Sequence, residues 1–389
     1  MVLPLEGIRV LDLTWLLPYT TILADFGAEV IKVEEPTRGD YSRWMHPLIK
    51  GEGAYFLCVH RNKKSITLNL KTEKGREIFY RLAKTADVII ESFRPGVTKR
   101  LGVDYETIKK INPRIVYCSV SGYGQDGPYK NLPGHDINYI SVAGILGLTG
   151  QYGGPPVIPG TQIADLGGGC MLATISILIA LIAREKTGKG QYIDVSMTDG
   201  SISWLTLSAP VYFAEGKPPE RGGMAVTGYY PCYNVYETKD GKYISLGCLE
   251  ERFWRNLCKA LGREDFIEHQ WATGEKREEI FSTFRKIFKT KTRDEWFKEL
   301  AEADVCVAPV YSLDEVFRDP QVLHRKMVEE IEHPKAGKIK VLGIPAKFSE
   351  TPGKIRDPAP SFGQHTKEIL KMLGYSDKEI EEFKKTGVI

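Results

Sequence analysis

The feature that most constrains the fold is an alternation of strand-like and helix-like segments over the first part of the chain. Strands that alternate with helices form a parallel sheet covered by helices on both faces. The sequence therefore predicts an α/β fold with a doubly wound parallel sheet. The predicted strands are Ile8–Thr14, Glu29–Glu34, Ser65–Leu70, Asp87–Glu91 and Arg114–Val120, and the predicted helices between them are Leu16–Gly27, Lys74–Thr85 and Tyr105–Ile111.

The later part of the chain predicts a smaller α+β domain. Phe213–Thr227 is rich in glycine, proline and charge, which is typical of a linker. Thr292 and Glu295 have the spacing of a capping box at the start of a helix. We therefore assign residues 1–212 and 331–389 to a large α/β domain with linkers, and residues 228–330 to the small domain. The elements predicted there are strands at Lys242–Leu246 and Val305–Val310 and helices at Glu251–Leu261, Lys276–Phe288 and Arg293–Ala303.

Composition narrows the class of protein. The chain has 389 residues, of which 42% are hydrophobic and 26% charged, as expected of a folded protein with a sizeable core. The net charge of +3 is too small for a dedicated nucleic-acid binder, and no basic run is interleaved with aromatic residues. This charge balance suits an anionic small molecule as the ligand.

The cysteine pattern and the apolar runs of the sequence indicate in which cellular compartment the protein is expected. The seven cysteines are scattered and form no C-x-x-C, so we predict neither a zinc site nor a disulfide framework. The first residues lack the pattern of a signal peptide. The longest apolar run, Cys170–Ala183, is shorter than a bilayer span and predicts a buried helix. We therefore expect a cytoplasmic protein that binds no membrane and no metal.

A His-Asp pair ends a turn-rich segment of the chain. His135 and Asp136 lie in GHDINY, after a stretch in which glycine and proline interrupt any regular element. One interpretation is structural: a loop salt bridge, or a helix N-cap by Asp136. The other is an acid/base device held on a shaped loop. The pair by itself favours the structural interpretation.

Asp165 stands before three glycines and a long apolar helix, in ADLGGGCML. A carboxylate at a helix start is stabilised by the helix dipole, and capping is the commonest role of Asp there. Glycines such as Gly167 would let a ligand approach the backbone, and free N–H groups there could hold an oxyanion. Capping alone and capping with catalysis remain equally weighted alternatives.

Other charged residues lie near predicted strand ends. Glu250 ends a strand and begins a helix, where complementing the helix dipole is its ordinary role. Arg38, Lys63 and Arg94 are basic residues in predicted loops, where phosphate ligands often dock. The turn after the first strand lacks G-x-G-x-x-G, which disfavours a dinucleotide site. The chain also lacks G-x-S-x-G and H-E-x-x-H, which disfavours an α/β-hydrolase or a zinc protease.

Several motifs together resemble the α-methylacyl-CoA racemases, which belong to the family III CoA-transferase group with formyl-CoA transferase. The similarity runs nearly the full length of the chain. GHDINY and the glutamate of LGCLE are the parts most typical of the racemases. The other motifs are SGYGQDGPY, ADLGGG, GIRVLDLT, ADFGAEVIKVEEP, RNKKSITLNLK, ESFRPGVTKRLG and GQHTKEILKMLGY.

The resemblance implies a fold and an assembly. It implies an interlocked homodimer of ring-like protomers, with each active site formed by the large domain of one chain and the small domain of the other. The expected substrate is an acyl-CoA thioester, so coenzyme A is part of the substrate and no further cofactor is expected. Two departures, Glu251 with Arg252 and Leu166, stand where racemases commonly carry Pro-Gln and Phe.

The resemblance also implies roles for particular residues. His135 and Asp165 would exchange the α-proton of a 2-methylacyl-CoA on opposite faces, His135 acting on the S form and Asp165 on the R form. Glu250 would orient His135 and raise its pKa. Amide groups of Asp165, Leu166 and Gly167 would stabilise the enolate oxygen. In supporting roles, Asp136 and Tyr139 would hold the site, and Arg38, Lys63 and Arg94 would contact CoA.

Two alternatives remain. In a family III CoA-transferase, Asp165 would attack the thioester as a nucleophile and form a mixed anhydride that CoA then opens. His135 would then take no part in the chemistry. A non-catalytic acyl-CoA binding protein on the same fold is the second alternative, and the set of His, Asp and Glu makes it the weaker one.

Overall fold

The computed structural model describes residues 2–389, which divide into two compact units. The first unit contains residues 2–143, Thr161–Trp204 and Pro320–Ile389. The second contains Gly144–Gly160 and Leu205–Asp319. The sequence-based domain limits differ from this division, which assigns residues 144–160 and 205–227 to the second unit and residues 320–330 to the first.

The elements of the first 143 residues alternate between strand and helix, as the sequence predicts. They are β1 (Arg9–Leu13), α1 (Thr21–Asp25), β2 (Glu29–Glu34), β3 (Leu48–Ile49), β4 (Glu52–Gly53), α2 (Ala54–Val59), β5 (Lys63–Thr67), α3 (Glu73–Ala83), β6 (Val88–Glu91), α4 (Val97–Leu101), α5 (Tyr105–Ile111), β7 (Val116–Ser121) and α6 (Asp136–Val142).

The rest of the chain adds six strands to a series of helices. A π-helical segment, Ile163–Met171, runs directly into α8. The elements are α7 (Ile145–Leu148), α8 (Leu172–Thr187), β8 (Gln191–Ser196), α9 (Met197–Ile202), α10 (Ala209–Glu215), β9 (Tyr233–Glu237), β10 (Tyr243–Gly247), α11 (Glu251–Ala260), α12 (Gly274–Phe288), α13 (Arg293–Glu302), β11 (Val307–Val310), α14 (Leu313–Val316), α15 (Pro320–His324), β12 (Val328–His333), β13 (Gly337–Leu342), α16 (Thr366–Met372) and α17 (Asp377–Lys385).

A six-stranded parallel sheet forms the centre of the first unit, in the order β5-β2-β1-β6-β7-β8. Leu11 of β1 pairs with Ile31 on one side and with Ile89 on the other, and all three are fully buried. The C-terminal helices add Leu370 and Phe383 to the same core. The predicted doubly wound α/β fold is confirmed, and the chain changes direction across the sheet between β1 and β6.

The second unit is built on a three-stranded antiparallel sheet, β11-β10-β9, with helices packed against it. Its core is aromatic, with Trp254, Phe284 and Phe288 fully buried. The predicted capping box is present: the Thr292 N–H donates to Glu295 Oε2 at 2.8 Å. This arrangement confirms the α+β character predicted for this part of the chain.

Several predicted limits differ in the structure, where the strand predicted at Ser65–Leu70 is Lys63–Thr67. Instead of a helix over Leu16–Gly27, only Thr21–Asp25 is helical, because Leu16 has a φ of 61° and Pro18 follows it. Phe213 lies in α10 rather than in a linker. The apolar helical run is also longer than predicted: Ile163–Thr187 has the length and composition of a membrane-spanning helix, with half of its most apolar stretch buried inside the protein.

Candidate active site

A cavity of about 410 Å³ lies in the first unit, beyond the carboxyl ends of β1 and β6. In open α/β sheets this is where ligands bind, at the point where the strand order reverses. The loops that follow the two strands supply much of the lining. The lining residues are Trp15, Leu16, Leu17, Tyr19, Tyr41, Ser92, Phe93, Arg94, Val97, His135, Tyr139, Asp165 and Met197.

A second cavity of about 520 Å³ also has Arg94, His135 and Tyr139 in its wall and adds Lys130. The structure thus brings together four residues predicted from the sequence: Arg94, His135, Tyr139 and Asp165. Three of them were predicted from separate motifs, so their convergence on one edge of the sheet marks this edge as the candidate active site.

Asp165 is the central ionisable group of the smaller cavity. It lies in the first turn of the π-helical segment, a rare helix type that occurs frequently at functional sites. Its side chain is half-buried. Burial and the neighbouring Asp136 charge raise the pKa of Asp165 to about 6, while His135 acts in the opposite direction. At neutral pH Asp165 is therefore a carboxylate that is more basic than an ordinary one.

Asp136 accepts hydrogen bonds from the free backbone N–H groups at the start of the segment that carries Asp165. Asp136 Oδ1 accepts the N–H of Ala164 at 2.6 Å and the N–H of Asp165 at 3.0 Å. The capping role that the sequence allowed for Asp165 is thus performed by Asp136, which reaches over from the first turn of α6. The expected N-cap by Asp136 exists, but on a different helix from its own.

His135 occupies the N-cap position of α6, directly before Asp136. Its N–H donates to Asn138 Oδ1 at 3.0 Å, which fixes the backbone, and the residue is exposed. Tyr139 supports the same loop, because its hydroxyl donates to the Gly134 carbonyl. Burial and the Asp165 charge raise the pKa of Tyr139 to about 12, so the phenol stays a donor.

The three glycines after Asp165 serve packing. A Cβ on Gly167 would lie 1.9 Å from the Trp204 ring, and a Cβ on Gly168 would lie 2.4 Å from the Met197 carbonyl oxygen. These contacts press the π-helical segment against α9, where no side chain fits. The glycines therefore permit close helix packing, and the approach of a ligand to Gly167 stays a prediction.

The backbone amides proposed for an enolate oxygen are largely engaged. The Asp165 N–H donates to Asp136 Oδ1, and the Leu166 N–H donates to the Gln162 carbonyl oxygen at 3.3 Å. Two of the three expected donors therefore already have partners within the chain. These two amides are therefore not free to donate to an oxyanion of either an enolate or a tetrahedral intermediate.

Three other predicted site residues, Lys63, Arg38 and Glu250, are not among the residues that line the Asp165 cavity. Lys63 begins strand β5 rather than standing in a loop, and its ammonium is buried against Asp12 at 3.1 Å, so it is not displayed to a phosphate. Arg38 is exposed in the loop after β2, and its carbonyl oxygen accepts from Trp44 Nε1 at 2.7 Å. Glu250 belongs to the second unit, where it is exposed at the N-cap position of α11.

Sequence reasoning missed two groups near the cavity. Glu91 ends β6 fully buried and accepts the Phe93 N–H at 2.8 Å, and burial raises the pKa of Glu91 to about 7. A set of buried charges around Lys32 also lies beneath the loop after β1. The signal was present: a lysine in the middle of the buried strand EVIKVE has to be paired with an acid.

The fold and the site define a doubly wound α/β protein with a half-buried, basic carboxylate at the switch point of its sheet. The chain belongs to CoA-transferase family III, whose sequence profile matches residues 5–366. The resemblance to the wider group is thereby confirmed.

Curated relatives cover nearly the whole chain. It is 38% identical to the human succinyl-CoA:glutarate CoA-transferase over 99% of this chain and 90% of the relative. It is 34% identical to the β subunit of the succinyl-CoA–L-malate CoA-transferase of Chloroflexus aurantiacus, over 100% and 98%. It is also 34% identical to the formyl-CoA:oxalate CoA-transferase of Escherichia coli O157:H7, over 99% of each. These relatives carry the names of transferases and not of racemases.

Solved structures share the fold. A CAIB/BAIF family protein from Brucella suis superimposes with a TM-score of 0.84 at 33% identity, over 96% of this chain and all of that one. A hypothetical protein from Mycobacterium tuberculosis gives a TM-score of 0.80 at 28% identity, over 94% and 99%. The architecture described above is therefore that of the family.

Proposed function

We propose that this protein is a CoA-transferase that moves coenzyme A from an acyl-CoA thioester to a free carboxylic acid, with Asp165 as the nucleophile. The observation that carries the proposal is the placement of Asp165. Its carboxylate lines a cavity at the switch point of the sheet, its pKa is raised, and its backbone is fixed by Asp136. The relatives named as CoA-transferases support the same reading.

The proposed reaction proceeds by four balanced acyl exchanges. An Asp165 carboxylate oxygen attacks the thioester carbonyl of the donor, the C–S bond breaks, and CoA thiolate leaves a mixed anhydride. The thiolate attacks the Asp165 carbonyl, which forms an aspartyl–CoA thioester and releases the donor acid. The acceptor carboxylate then attacks that thioester and displaces CoA thiolate. Finally the thiolate attacks the acceptor's acyl carbonyl and frees Asp165.

The raised pKa of Asp165 fits the first step. A carboxylate with a pKa of about 6 is mostly ionised at neutral pH, yet it is more nucleophilic than a fully solvated Asp. The Asp165 side chain is therefore both ionised at neutral pH and reactive as a nucleophile.

We also propose short dicarboxylic acids as the substrate class. The relatives' names combine succinyl-CoA with glutarate or malate, and formyl-CoA with oxalate. In this chain, Arg94 and Lys130 line the larger cavity, which shares Arg94 with the cavity of Asp165, and they supply positive charge for anionic substrates. A carboxylate that does not react can be held there while the other carboxylate meets Asp165.

A racemase remains the second candidate, because His135 lines the same cavity as Asp165. In that reaction His135 and Asp165 would exchange the α-proton of a 2-methylacyl-CoA from opposite faces. An enolate oxygen needs hydrogen-bond donors, as do the tetrahedral intermediates of acyl transfer, so the engaged amides of Asp165 and Leu166 do not separate the two reactions.

One experiment separates the two reactions. The protein is incubated with succinyl-CoA and a panel of free mono- and dicarboxylic acids, and in parallel with 2-methylacyl-CoA thioesters in deuterium oxide. We expect new thioesters of the dicarboxylic acids and no deuterium at the α-carbon. Deuterium uptake with no transfer to any acid would contradict the transferase and favour the racemase.

A further inference from the structure

A buried ionic cluster lies beneath the loop that follows β1. It contains Asp12, Lys32, Asp40 and Lys63, whose side chains are at most 1% exposed. Lys32 Nζ lies 2.8 Å from Asp40 Oδ2, and Lys63 Nζ lies 3.1 Å from Asp12 Oδ2. The charges are balanced, two acids against two amines, as buried charges must be.

This cluster binds the backbone of the loop Thr14–Thr20, which we call the wall loop. Lys32 Nζ donates to the Thr14 carbonyl oxygen at 2.7 Å. Asp12 Oδ1 accepts the Thr14 N–H at 2.9 Å, and its other oxygen accepts the Thr20 hydroxyl at 2.6 Å. Asp40 Oδ2 accepts the Leu16 N–H at 3.1 Å. The loop is therefore tied to the cluster at both ends and in the middle.

The contact to Leu16 is made at a strained residue. Leu16 has a φ of 61°, a conformation that disfavours every side chain larger than hydrogen by about 1 kcal/mol or more. A non-glycine residue keeps such a conformation only where its surroundings determine it, and here the Asp40 carboxylate does so. Strain of this kind is frequent where the geometry serves a function.

The wall loop faces Asp165 with apolar side chains. Trp15, Leu16 and Leu17 line the cavity that contains the Asp165 carboxylate. The Trp15 ring packs on Tyr41 with centroids 5.5 Å apart, and Tyr41 directly follows Asp40. Asp40 thus binds the wall loop directly and is next in sequence to the tyrosine on which that loop packs.

Apolar walls matter for the reaction proposed above. The acyl–Asp165 anhydride and the aspartyl–CoA thioester both react with water. Water attack on the anhydride forms a new C–O bond at a carbonyl carbon, breaks the bond to the bridging oxygen, and returns Asp165 and a free acid. Water attack on the aspartyl thioester likewise releases CoA thiol. Either event wastes the donor thioester, so a transferase has to exclude water.

We propose that Lys32 and Asp40 are positioning residues that hold the wall loop over Asp165 and so direct the acyl group to CoA or to the acceptor acid instead of to water. This inference rests on the proposed transferase function. Neither residue touches the substrate; each acts through the loop backbone. The cluster would then be kept for geometry, since a buried ion pair adds little net stability over an apolar replacement.

The test measures a partition ratio. Purified enzyme receives succinyl-CoA and an acceptor acid, and the free CoA thiol from hydrolysis is compared with the new thioester. Asp40→Asn keeps the size of the side chain and removes its charge. We expect the ratio of hydrolysis to transfer to rise about tenfold, because water then reaches the acyl intermediates more often.

Two further variants make the test specific. Leu16→Ala trims the wall without touching a buried charge, so it tests the proposal even where Asp40→Asn folds poorly, and it should raise the ratio as well. Asp25→Asn is the matched control, because it breaks another buried pair of the same unit, Asp25 with Arg61 at 2.7 Å. It should lower stability and leave the ratio at the wild-type value.

The outcomes separate the inference from the function. If the wild-type enzyme transfers CoA and both Asp40→Asn and Leu16→Ala have the same hydrolysis-to-transfer ratio as the wild type, the inference is overturned. The proposed function is unaffected by that result. An equal rise in Asp25→Asn would also overturn it, since general destabilisation would then be the cause. A wild-type enzyme that transfers CoA to none of the acids would disprove the function itself.

Discussion

At the level of single residues, the proposed reaction depends on two neighbouring acids, Asp165 and Asp136, which have different roles. Asp136 takes over the capping of the π-helical segment, which leaves the Asp165 carboxylate to the cavity. The proximity of the two acids also contributes to the raised pKa of Asp165, after burial. One neighbour therefore fixes both the position and the basicity of the proposed nucleophile.

This sharing predicts a pH effect. The attacking form of Asp165 is the carboxylate, so kcat/KM for CoA transfer should rise with pH through about 6 and then level off. Asp136→Asn retains an acceptor oxygen for the Ala164 and Asp165 N–H groups but removes the charge that raises the pKa. The rising limb should therefore move to lower pH, as measured by initial rates across a pH series.

Glu91→Gln is the matched control for this series. Glu91 also has a raised pKa, of about 7, but it lies buried at the end of β6 and makes no contact with substrate in the proposed reaction. The limb near pH 6 should keep its position in this variant. If the limb moved in Glu91→Gln and stayed unchanged in Asp136→Asn, it would belong to Glu91, and its assignment to Asp165 would be contradicted.

Asp165→Asn should abolish CoA transfer and raise the free energy of unfolding at pH 8. The pKa of Asp165 is raised in the folded state, so its stabilising contribution is complete below about pH 4 and is lost as pH rises through about 6. At pH 8 the ionised carboxylate destabilises the fold, and its removal should add about 1 kcal/mol after allowance for its partial exposure. The gain in unfolding free energy, from urea titrations, should be smaller at pH 5 than at pH 8. An equal gain at both values would contradict the raised pKa.

At the scale of elements, the packing of the π-helical segment on α9 sets the position of Asp165. Gly167 allows the Trp204 ring to lie directly against the segment. Helix-start glycines have two uses, ligand approach and close packing, and sequence alone does not distinguish them. The choice depends on Trp204, which is distant along the chain and becomes a neighbour only in the folded protein.

Gly167→Ala tests this packing. Its Cβ would meet the Trp204 ring at 1.9 Å, and overpacking of this kind costs about 1–3 kcal/mol. We expect a lower thermal midpoint together with slower CoA transfer, because the segment that carries Asp165 has to shift. Trp204→Ala in the same chain should restore part of both losses, which a double-mutant cycle would measure. Independent, additive effects would show that the contact does not position the segment.

The elements that could be predicted from sequence are those defined by local periodicity. Strand β2 and helix α5 have the predicted limits, because their apolar spacing is a local property. The wall loop could not be predicted, since the contacts that hold it come from Lys32 and Asp40 on other parts of the chain. For the site, the motifs singled out His135 and Asp165, which line the same cavity, whereas the burial of Lys63 depends on tertiary pairing.

At the scale of the whole molecule, α8 and the segment before it present an apolar stripe. Met171, Ile175, Ile179 and Ile182 are each more than half exposed and recur at helical spacing. The opposite face, with Ile177 and Leu181, is buried. A stripe of this kind indicates an interaction surface, and we propose a second copy of the chain as its partner.

Ile179→Asp should therefore weaken a homodimer. A charge placed in the middle of an apolar interface is costly to bury, so the dissociation constant should rise at least about tenfold, measured by sedimentation velocity over a concentration series. Lys378→Glu, an exposed change on α17, is the control and should leave the assembly unchanged. A wild-type chain that sediments as a monomer at all concentrations, or that binds lipid vesicles through this stripe, would contradict the proposed dimer.

The mass of the peptide that carries Asp165 tests most directly whether Asp165 is the nucleophile. The enzyme is mixed with succinyl-CoA, quenched in acid within the first turnover, digested and analysed by mass spectrometry. We predict that this peptide gains the mass of a succinyl group or of CoA and that the gain maps to Asp165, whereas Asp165→Asn shows none. An unmodified Asp165 in an enzyme that is turning over, or a gain on another residue, would contradict the proposed nucleophile.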